Sequence, residues 1–355
     1  MWQSAFTKQY GLEVPFVSAG MGFLALPELV AAVSNAGGLG MLGVAPAPAP
    51  AMQQMVAEIK ARTSRPFGVD LIVETTAFGP STTEEHIDVC VAERVPVVVF
   101  FWHLPPAEWV NRLRGAGART WMTVGSPEQA KEAAALGVDA IIAQGVEAGG
   151  HNRSSLGSLV LLPAVVDAVA PLPVIAAGGI ADGRGVAAAL ALGAVAVCVG
   201  TRLIASREAY AHDEYKRRVV SAVTGDVGQT SIFGPEWPDQ PMRVLRNRVV
   251  RAWEGKDART PPVLGEIIGH TTILGRDYDM PKFSAVLPTP DTNGDFEEMC
   301  RCRSKRGPRQ ANPPGRRDHS RHDGGSTIGY PEPIVARCGW CLKTFAPGKG
   351  RLTSP

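Results

Sequence analysis

The chain is poor in cysteine, in aromatic residues and in excess charge of either sign. Of its 355 residues only 6 are cysteine and 6% are aromatic, and the formal net charge is +2. Two isolated cysteines in the main body, Cys90 and Cys198, do not make the disulfide framework of a small secreted protein. The near-balance of charge gives no reason to expect nucleic acid as a partner.

Long apolar runs are missing as well. No segment approaches the roughly 20 consecutive apolar residues that span a bilayer, so we expect no membrane contact. The N-terminal sequence MWQSAFTKQYGLEVP lacks the charged start, apolar stretch and small-residue cleavage site of a secretory signal. We therefore expect a cytoplasmic protein.

Short apolar segments, by contrast, are abundant, because 45% of the residues are hydrophobic. Eight such segments, rich in Val, Ile and Ala, recur along the first part of the chain. They are Val14–Ala19, Gly40–Gly43, Phe67–Val73, Val95–Trp102, Thr120–Val124, Ala140–Gln144, Val174–Ala177 and Ala194–Gly200. Most are apolar throughout rather than alternating, which is typical of parallel strands covered on both faces.

Helix signals separate these predicted strands. Ser126 is an N-cap followed by Pro127, and the helix it opens runs to Leu136 and stops at Gly137. Asp182 is a similar cap for the Ala-rich helix 185–192. Strand–helix alternation repeated eight times predicts an α/β fold, a closed (β/α)₈ TIM barrel. An open doubly wound sheet is the alternative, but no GxGxxG motif follows the first strand.

The composition predicts three regions. Residues 1–204 are the barrel, and residues 205–295 are a small helical subdomain appended after strand eight. The subdomain contains a charged amphipathic helix at 205–222, a loop rich in Pro and Trp at Phe233–Pro241, and a helix around Met242–Trp253. Residues 296–355 are expected to be a disordered tail.

The strongest motif is AQGVEAGGH, which ends at His151 and directly follows the sixth predicted strand. In a barrel, catalytic groups lie beyond the carboxyl ends of the strands. The near-neutral pKa of histidine suits proton transfer to or from a carbon acid. The alternative is an ordinary loop histidine, but the glycine-rich setting favours a functional one.

Two glycine-bearing turns follow the seventh and eighth predicted strands, at Gly178–Gly179 and at Cys198–Thr201. Glycine at strand ends can simply turn the chain. Barrels, however, commonly bind phosphate with these two loops, so the turns together indicate a phosphate site. Met21, after the first strand, is a candidate contact for a flat ring or a packing residue. Asp70 is either a polar group near the barrel centre or a strand carboxylate paired with an arginine.

Together these motifs resemble the nitronate monooxygenase family (the former 2-nitropropane dioxygenases), whose superfamily includes FMN-dependent enoyl-ACP reductases. The resemblance covers about residues 1–295 and implies non-covalently bound FMN with its phosphate at Gly179 and Gly200–Thr201. It implies these cofactor-binding residues: Met21, Gly22, Asp70, Gln144, Gly149, Gly150, Gly178, Gly179, Cys198, Val199, Gly200 and Thr201. His151 matches the family's active-site histidine.

The implied reaction is oxidation of an alkyl nitronate by dioxygen through FMN. His151 would deprotonate a neutral nitroalkane or hold the nitro group of an ionised nitronate. The family commonly has Asn at the position of Asp70 and Pro at that of Gly20, which leaves a second substrate class open. The alternative is an NAD(P)H-dependent FMN reductase or dehydrogenase acting on an enoyl-ACP or acyl-CoA thioester. A non-catalytic flavin- or phosphate-binding protein is the third hypothesis, and a homodimer is a further expectation.

The tail does not continue the resemblance. Relatives close the barrel with a small-residue AGQ-like stretch and an amphipathic helix, whereas residues 301–325 are rich in Arg, Pro, His, Asp and Gly. We hypothesise that these residues come from a shifted reading frame, which resequencing tests. Without the closing segment we expect weak flavin binding. Cys300, Cys302, Cys338 and Cys341 resemble a zinc site only poorly, so no metal is predicted.

Overall fold

The computed structural model describes residues 4–77, 79–256, 266–273 and 275–303. Eight parallel strands form its centre. They are β1 (Phe16–Ser18), β2 (Gly40–Gly43), β3 (Phe67–Val73), β4 (Val97–Trp102), β5 (Arg119–Val124), β6 (Ala140–Gln144), β7 (Val174–Ala177) and β8 (Ala196–Val199). The sheet order is β1-β8-β7-β6-β5-β4-β3-β2.

The sheet closes on itself. The Leu39 N–H donates to the Phe16 carbonyl, and the Ser18 N–H donates to the Leu39 carbonyl, both at 2.9 Å. These bonds join β1 to the residue preceding β2. The predicted (β/α)₈ barrel is confirmed and the open-sheet alternative is wrong.

The strands form at the apolar segments of the sequence. Every residue of β2, β7 and β8 is buried, because one face fills the barrel interior and the other packs against helices. The bounds of β2, β3, β6 and β7 agree with the prediction, and the other four differ by a few residues at their ends.

Eight helices surround or precede the barrel strands in the described chain. They are α1 (Ala5–Gln9), α2 (Pro27–Asn35), α3 (Ala49–Arg62), α4 (Glu84–Ala92), α5 (Ala107–Gly115), α6 (Pro127–Leu136), α7 (Ser158–Val169) and α8 (Gly183–Ala191). The predicted caps are present: the Gln129 N–H donates to Ser126 Oγ, and the Arg184 N–H donates to Asp182 Oδ1. Gly137 ends α6 with φ +88°, a backbone angle that favours glycine.

The N-terminal segment fills the amino end of the barrel. Phe6, Tyr10 and Trp121 pack together, with ring centroids 4.7 to 5.9 Å apart. Trp121 Nε1 donates a hydrogen bond of 2.9 Å to the Tyr10 hydroxyl, which satisfies both buried polar groups. The open space of the barrel is therefore left at its carboxyl end.

The region after β8 is only partly helical, so its description as a helical subdomain is incomplete. It contains α9 (Thr201–Ile204), α10 (Asp213–Ser221), α11 (Arg248–Trp253), β9 (Val227–Thr230), β10 (Met242–Leu245), β11 (Ile267–Ile273) and β12 (Arg276–Pro281). The predicted helix from Met242 is wrong in its first half. That segment pairs with β9 on one side and with the short strand Gly150–His151 on the other, and this tertiary pairing overrides the local pattern.

The predicted disorder from residue 296 is wrong as far as residue 303. Cys300 is fully buried, the Leu245 N–H donates to the Arg301 carbonyl at 2.7 Å, and the Tyr215 hydroxyl donates to the Cys302 carbonyl at 2.6 Å. Composition changes at this point, but the backbone still has partners to pair with. Residues 304–355, including Cys338 and Cys341 and most of the segment with the hypothesised frame shift, lie outside the described residues.

Arg301 is a charged residue in a buried position. It is 1% exposed, and among the described residues its Nη2 forms an ion pair with Glu297 at 2.9 Å. Within the described chain, Nε and Nη1 have no hydrogen-bond partner. Burying guanidinium nitrogens without partners is unfavourable. The hypothesis of a shifted reading frame stays a prediction.

Candidate functional site

A cavity of about 280 Å³ opens at the carboxyl ends of the barrel strands. Its wall includes every residue that the motifs indicated: Met21, Gly22, Asp70, Gln144, Gly149, Gly150, His151, Gly178, Gly179, Cys198, Val199, Gly200 and Thr201. Parallel strands place the residues that follow them on one rim. Motifs spread over the chain from residue 21 to residue 201 thus meet in one place.

One side of the cavity is built from main chain. Gly178 and Gly179 have φ of +104° and +72°, in the region that L side chains rarely adopt. A Cβ on Gly178 would lie 3.0 Å from the Gly145 carbonyl oxygen and 3.1 Å from the Ala148 nitrogen. The loop after β6 therefore packs directly on the turn after β7, and only glycine fits there.

The loop that follows β6 is fixed by its own side chains. Glu147 accepts hydrogen bonds from the Ser158 N–H at 2.9 Å and from Ser158 Oγ at 2.7 Å, at the start of α7. Asn152 Nδ2 donates to the Gly145 carbonyl at 2.8 Å. Both ends of the loop are held, so His151 has a defined position at its end.

His151 lies among aromatic rings. Its ring centroid is 4.2 Å from that of Trp237 and 6.0 Å from that of Trp102. Burial lowers the pKa of His151 from 6.5 to about 4, because an imidazolium would lose its hydration here. Nε2 is buried and has no hydrogen-bond partner in the described part of the chain. At neutral pH the cavity wall thus contains an uncharged imidazole with an unused ring nitrogen.

The motifs did not reveal two tryptophans beside His151: Trp237 lines the cavity, and Trp102 packs against the rings of His151 and Trp237. Trp102 ends β4 with φ +88°, which is strained for a bulky residue, and its ring lies 4.6 Å from that of Trp237. The only signal in the sequence was the loop rich in Pro and Trp at Phe233–Pro241. Its role depends on a contact between β4 and a loop more than a hundred residues later, which no local pattern indicates.

Glu236 holds that loop against the cavity. Its carboxylate accepts hydrogen bonds from the Tyr278 hydroxyl at 2.7 Å, from the Ala285 N–H at 2.9 Å and from Ser284 Oγ. Its backbone carbonyl accepts from the Ala77 N–H at 2.8 Å. The ring of Trp237 is therefore positioned over His151 by residues from three other segments.

Asp70 lies in the cavity wall, and the structure gives it no arginine. Among the described residues it forms no ion pair, and its Oδ1 is buried without a hydrogen-bond partner. Burial raises the pKa of Asp70 from 3.8 to about 8. A Cβ on Gly20 would lie 2.2 Å from the Asp70 Cβ. The two departures from the family pattern, at residues 20 and 70, are thus in contact.

Met21 and Cys198 also line the cavity. Met21 lines the cavity and also packs over Gly200, because a Cβ on Gly200 would lie 3.3 Å from the Met21 sulfur. Packing of Met21 is therefore observed, and its contact with a flat ring stays a prediction. Burial and the nearby Asp70 raise the pKa of the Cys198 thiol to about 12, so this side chain is uncharged.

Charges are scarce around the cavity. No lysine or arginine is found in its wall within the described residues. In the same part of the chain, no group of three or more His, Cys, Asp or Glu side chains is arranged to hold a metal ion. None of the helices described is long and apolar enough to cross a membrane.

Comparisons of the sequence with known proteins agree on one family. The sequence model described as nitronate monooxygenase matches residues 3–266. A (3aS,4S,5R,7aS)-5-hydroxy-7a-methyl-1-oxo-octahydro-1H-indene-4-carboxyl-CoA dehydrogenase of Mycobacterium tuberculosis is 38% identical over 261 residues, which are 72% of this chain and 70% of that protein. A probable nitronate monooxygenase of Staphylococcus aureus is 33% identical over 309 residues, covering 75% of this chain and 86% of that protein.

Solved structures agree with this result. FabK from Thermotoga maritima superposes with a TM-score of 0.65 and 37% identity, over 71% of this chain and 77% of that one. Nitroalkane oxidase from Streptomyces ansochromogenes has a TM-score of 0.65 and 35% identity, over 70% of this chain and 81% of that one.

Proposed function

Because the chain belongs to the nitronate monooxygenase family, we propose that this oxidoreductase binds FMN and oxidises alkyl nitronates with dioxygen. One observation carries the proposal. The glycine turns after β7 and β8 and an uncharged, unpartnered imidazole occupy the same cavity. A turn that excludes side chains suits a phosphate, and the imidazole suits a reacting group.

The residues of the cavity fit FMN. The backbone N–H groups of the Gly178–Gly179 and Gly200–Thr201 turns would hold the phosphate, since no side chain blocks them. Ring contacts would come from Met21, Gly22, Asp70, Gln144, Gly149, Gly150, Cys198 and Val199. When bound, FMN supplies the redox chemistry, and the protein supplies position and electrostatics.

His151 has two roles available, and its surroundings favour one. A base with a pKa of about 4 removes a proton from a weak carbon acid only with difficulty at neutral pH. A nitronate that is already ionised needs no such step, and a neutral imidazole can still donate a hydrogen bond to its oxygen. We therefore assign to His151 the holding of the ionised substrate.

Oxygen consumption tests this function. The purified chain supplied with FMN should consume oxygen with a small alkyl nitronate and without NAD(P)H. His151→Ala should keep the flavin and lose about tenfold or more in kcat/KM, the cost of a lost hydrogen bond to a charged substrate. Folded protein that takes up no FMN would contradict the cofactor, and a His151→Ala variant with unchanged kcat/KM would contradict the role of His151.

A thioester is the second candidate substrate. The Mycobacterium tuberculosis relative, at 38% identity, is named as a carboxyl-CoA dehydrogenase, and Asp70 sets this cavity apart from the usual family pattern. Anaerobic mixing separates the two candidates. Bleaching of the flavin by a nitronate alone supports the first. Rapid bleaching by NADH, NADPH or an acyl-CoA, with none by a nitronate, supports the second.

Membership of a family of enzymes counts against the hypothesis of a non-catalytic binding protein. The partner of this chain is accordingly a small-molecule substrate, with dioxygen proposed as the co-substrate. The homodimer and the cytoplasmic location remain predictions.

A further inference from the structure

Asp70 is a buried acidic group in the cavity wall, and the proposed reaction assigns it no chemical role. It is the fourth residue of β3, between Gly43 of β2 and Val99 of β4 in the sheet register. Its neighbours in the barrel are thus a glycine and an apolar side chain. Neither can donate a side-chain hydrogen bond to a carboxylate.

The groups around Asp70 offer it no positive charge. Cys198 on β8 is an uncharged thiol whose own pKa is raised by Asp70. The other titratable residues of the cavity wall are His151, Glu236 and Cys302. His151 is neutral at pH 7 because of its lowered pKa, and the Glu236 carboxylate is held by Tyr278, Ser284 and the Ala285 N–H.

Gly20 packs against the Asp70 side chain and restricts its position. Its Cα lies so close that an added Cβ would be 2.6 Å from Asp70 Oδ2 and 2.8 Å from Cγ. The carboxyl group is therefore packed against main chain on one side and belongs to the cavity wall on the other. A bound ring in the cavity is the partner that remains for it.

We propose that Asp70 binds the flavin as a neutral carboxylic acid and that FMN is held more weakly once this proton is lost. The proposal rests on FMN binding in this cavity, as proposed above. A protonated carboxyl donates a hydrogen bond to the carbonyl oxygens and ring nitrogens of an isoalloxazine, whereas a carboxylate only accepts. A carboxylate there would also repel electrons arriving on the ring. The proton on Asp70 thus couples FMN affinity, and flavin reduction, to pH.

Linkage gives the size of the effect. The free protein loses the Asp70 proton near pH 8, and the bound form retains it to higher pH because the ring accepts its hydrogen bond. Through Asp70, the FMN dissociation constant should change little below pH 7 and rise about tenfold between pH 7 and pH 9. In Asp70→Asn the amide donates at every pH, so this rise should be absent.

The experiment measures FMN affinity by quenching of flavin fluorescence from pH 6 to pH 9. The variants are the unsubstituted chain, Asp70→Asn, and the control Asp88→Asn on the exposed surface of α4. Between pH 7 and pH 9 we expect FMN affinity to fall equally in the unsubstituted chain and in Asp88→Asn. In Asp70→Asn it should stay level. Parallel curves for all three would overturn the proposal while leaving the FMN function standing. No FMN binding by any of them at pH 7 would instead contradict the FMN function itself.

A second measurement needs no variant. FMN added to weakly buffered, unsubstituted protein at pH 8.5 should take up protons from solution, up to about three quarters of a proton per FMN because that fraction of Asp70 is ionised beforehand, as an indicator dye reports. Binding without proton uptake would overturn the proposal even if Asp70→Asn failed to fold.

Discussion

Two parts of the cavity wall differ in composition: one is main chain and the other is side chains. The side formed by Gly178, Gly179 and Gly200 is main chain, has no titratable group, and excludes side chains by contact and by backbone angle. Another part of the wall is made of side chains and includes His151, Asp70 and Trp237, with Trp102 packed against Trp237. Burial there removes the charge from both titratable groups, lowering the pKa of the histidine and raising that of the aspartate. The comparison suggests that one side sets the affinity for a phosphate and the other sets the dependence on pH.

Gly178→Ala would break the main-chain side, and we expect the largest effect from it. A Cβ there meets the Gly145 carbonyl and the Ala148 nitrogen, so the turn must shift. FMN affinity, measured by fluorescence quenching, should fall at least about tenfold, which corresponds to about 1.4 kcal/mol. The dependence on pH should be unchanged.

Gly117→Ala is the matched control, since Gly117 has φ +87° and nothing within 4 Å of an added Cβ. It should show a similar loss of stability from backbone strain with no loss of FMN affinity. Equal losses of affinity in both variants would mean that strain, rather than the shape of the turn, explains the result.

Trp237→Leu tests the side-chain wall. The indole ring shields His151 at 4.2 Å, and its removal admits water, so the pKa of His151 should rise from about 4 toward its ordinary value. NMR titration of the imidazole protons measures this, with His151→Ala assigning the signal. Trp253→Leu is the control, because Trp253 packs on Phe283 and is absent from the cavity wall. An unchanged pKa in Trp237→Leu would show that Trp237 does not shield the ring.

A further test concerns stability without FMN. The native protein keeps the Asp70 proton up to about pH 8, whereas the unfolded chain loses it near 3.8. The native state is therefore progressively destabilised as pH rises from about 4 to about 8, and Asp70→Asn should remove this loss. Melting temperatures of the two proteins should diverge across this range and stay parallel above it. A constant difference at all pH values would contradict the raised pKa.

His151 should behave in the opposite direction. Its pKa in the native protein is about 4, below its ordinary value of 6.5. Its contribution to stability is therefore lost as pH falls from 6.5 to about 4. His151 and Asp70 thus change stability with pH in opposite directions, whereas the glycine turns have no titratable side chain.

Sequence patterns located the glycine side well and the aromatic side poorly. The turns at Gly178 and Gly200 were predicted because each follows an apolar strand whose position in the barrel could be counted. Trp237 was noticed only as part of a loop rich in Pro and Trp, since its contact with His151 depends on the path of residues 233–241 over the barrel mouth. The strand Met242–Leu245 was interpreted as helix for the same reason, because its partners are Gly150–His151 and β9.

The sequence by itself determined the barrel, the order of its strands and the rim on which the site lies. These follow from burial of apolar segments and from glycine geometry, which are local properties of the chain. Only the tertiary structure decided the charge states of His151 and Asp70, the contact between Gly20 and Asp70, and the aromatic cover over the histidine. Burial and desolvation depend on what distant segments bring to a residue, and no local pattern specifies that.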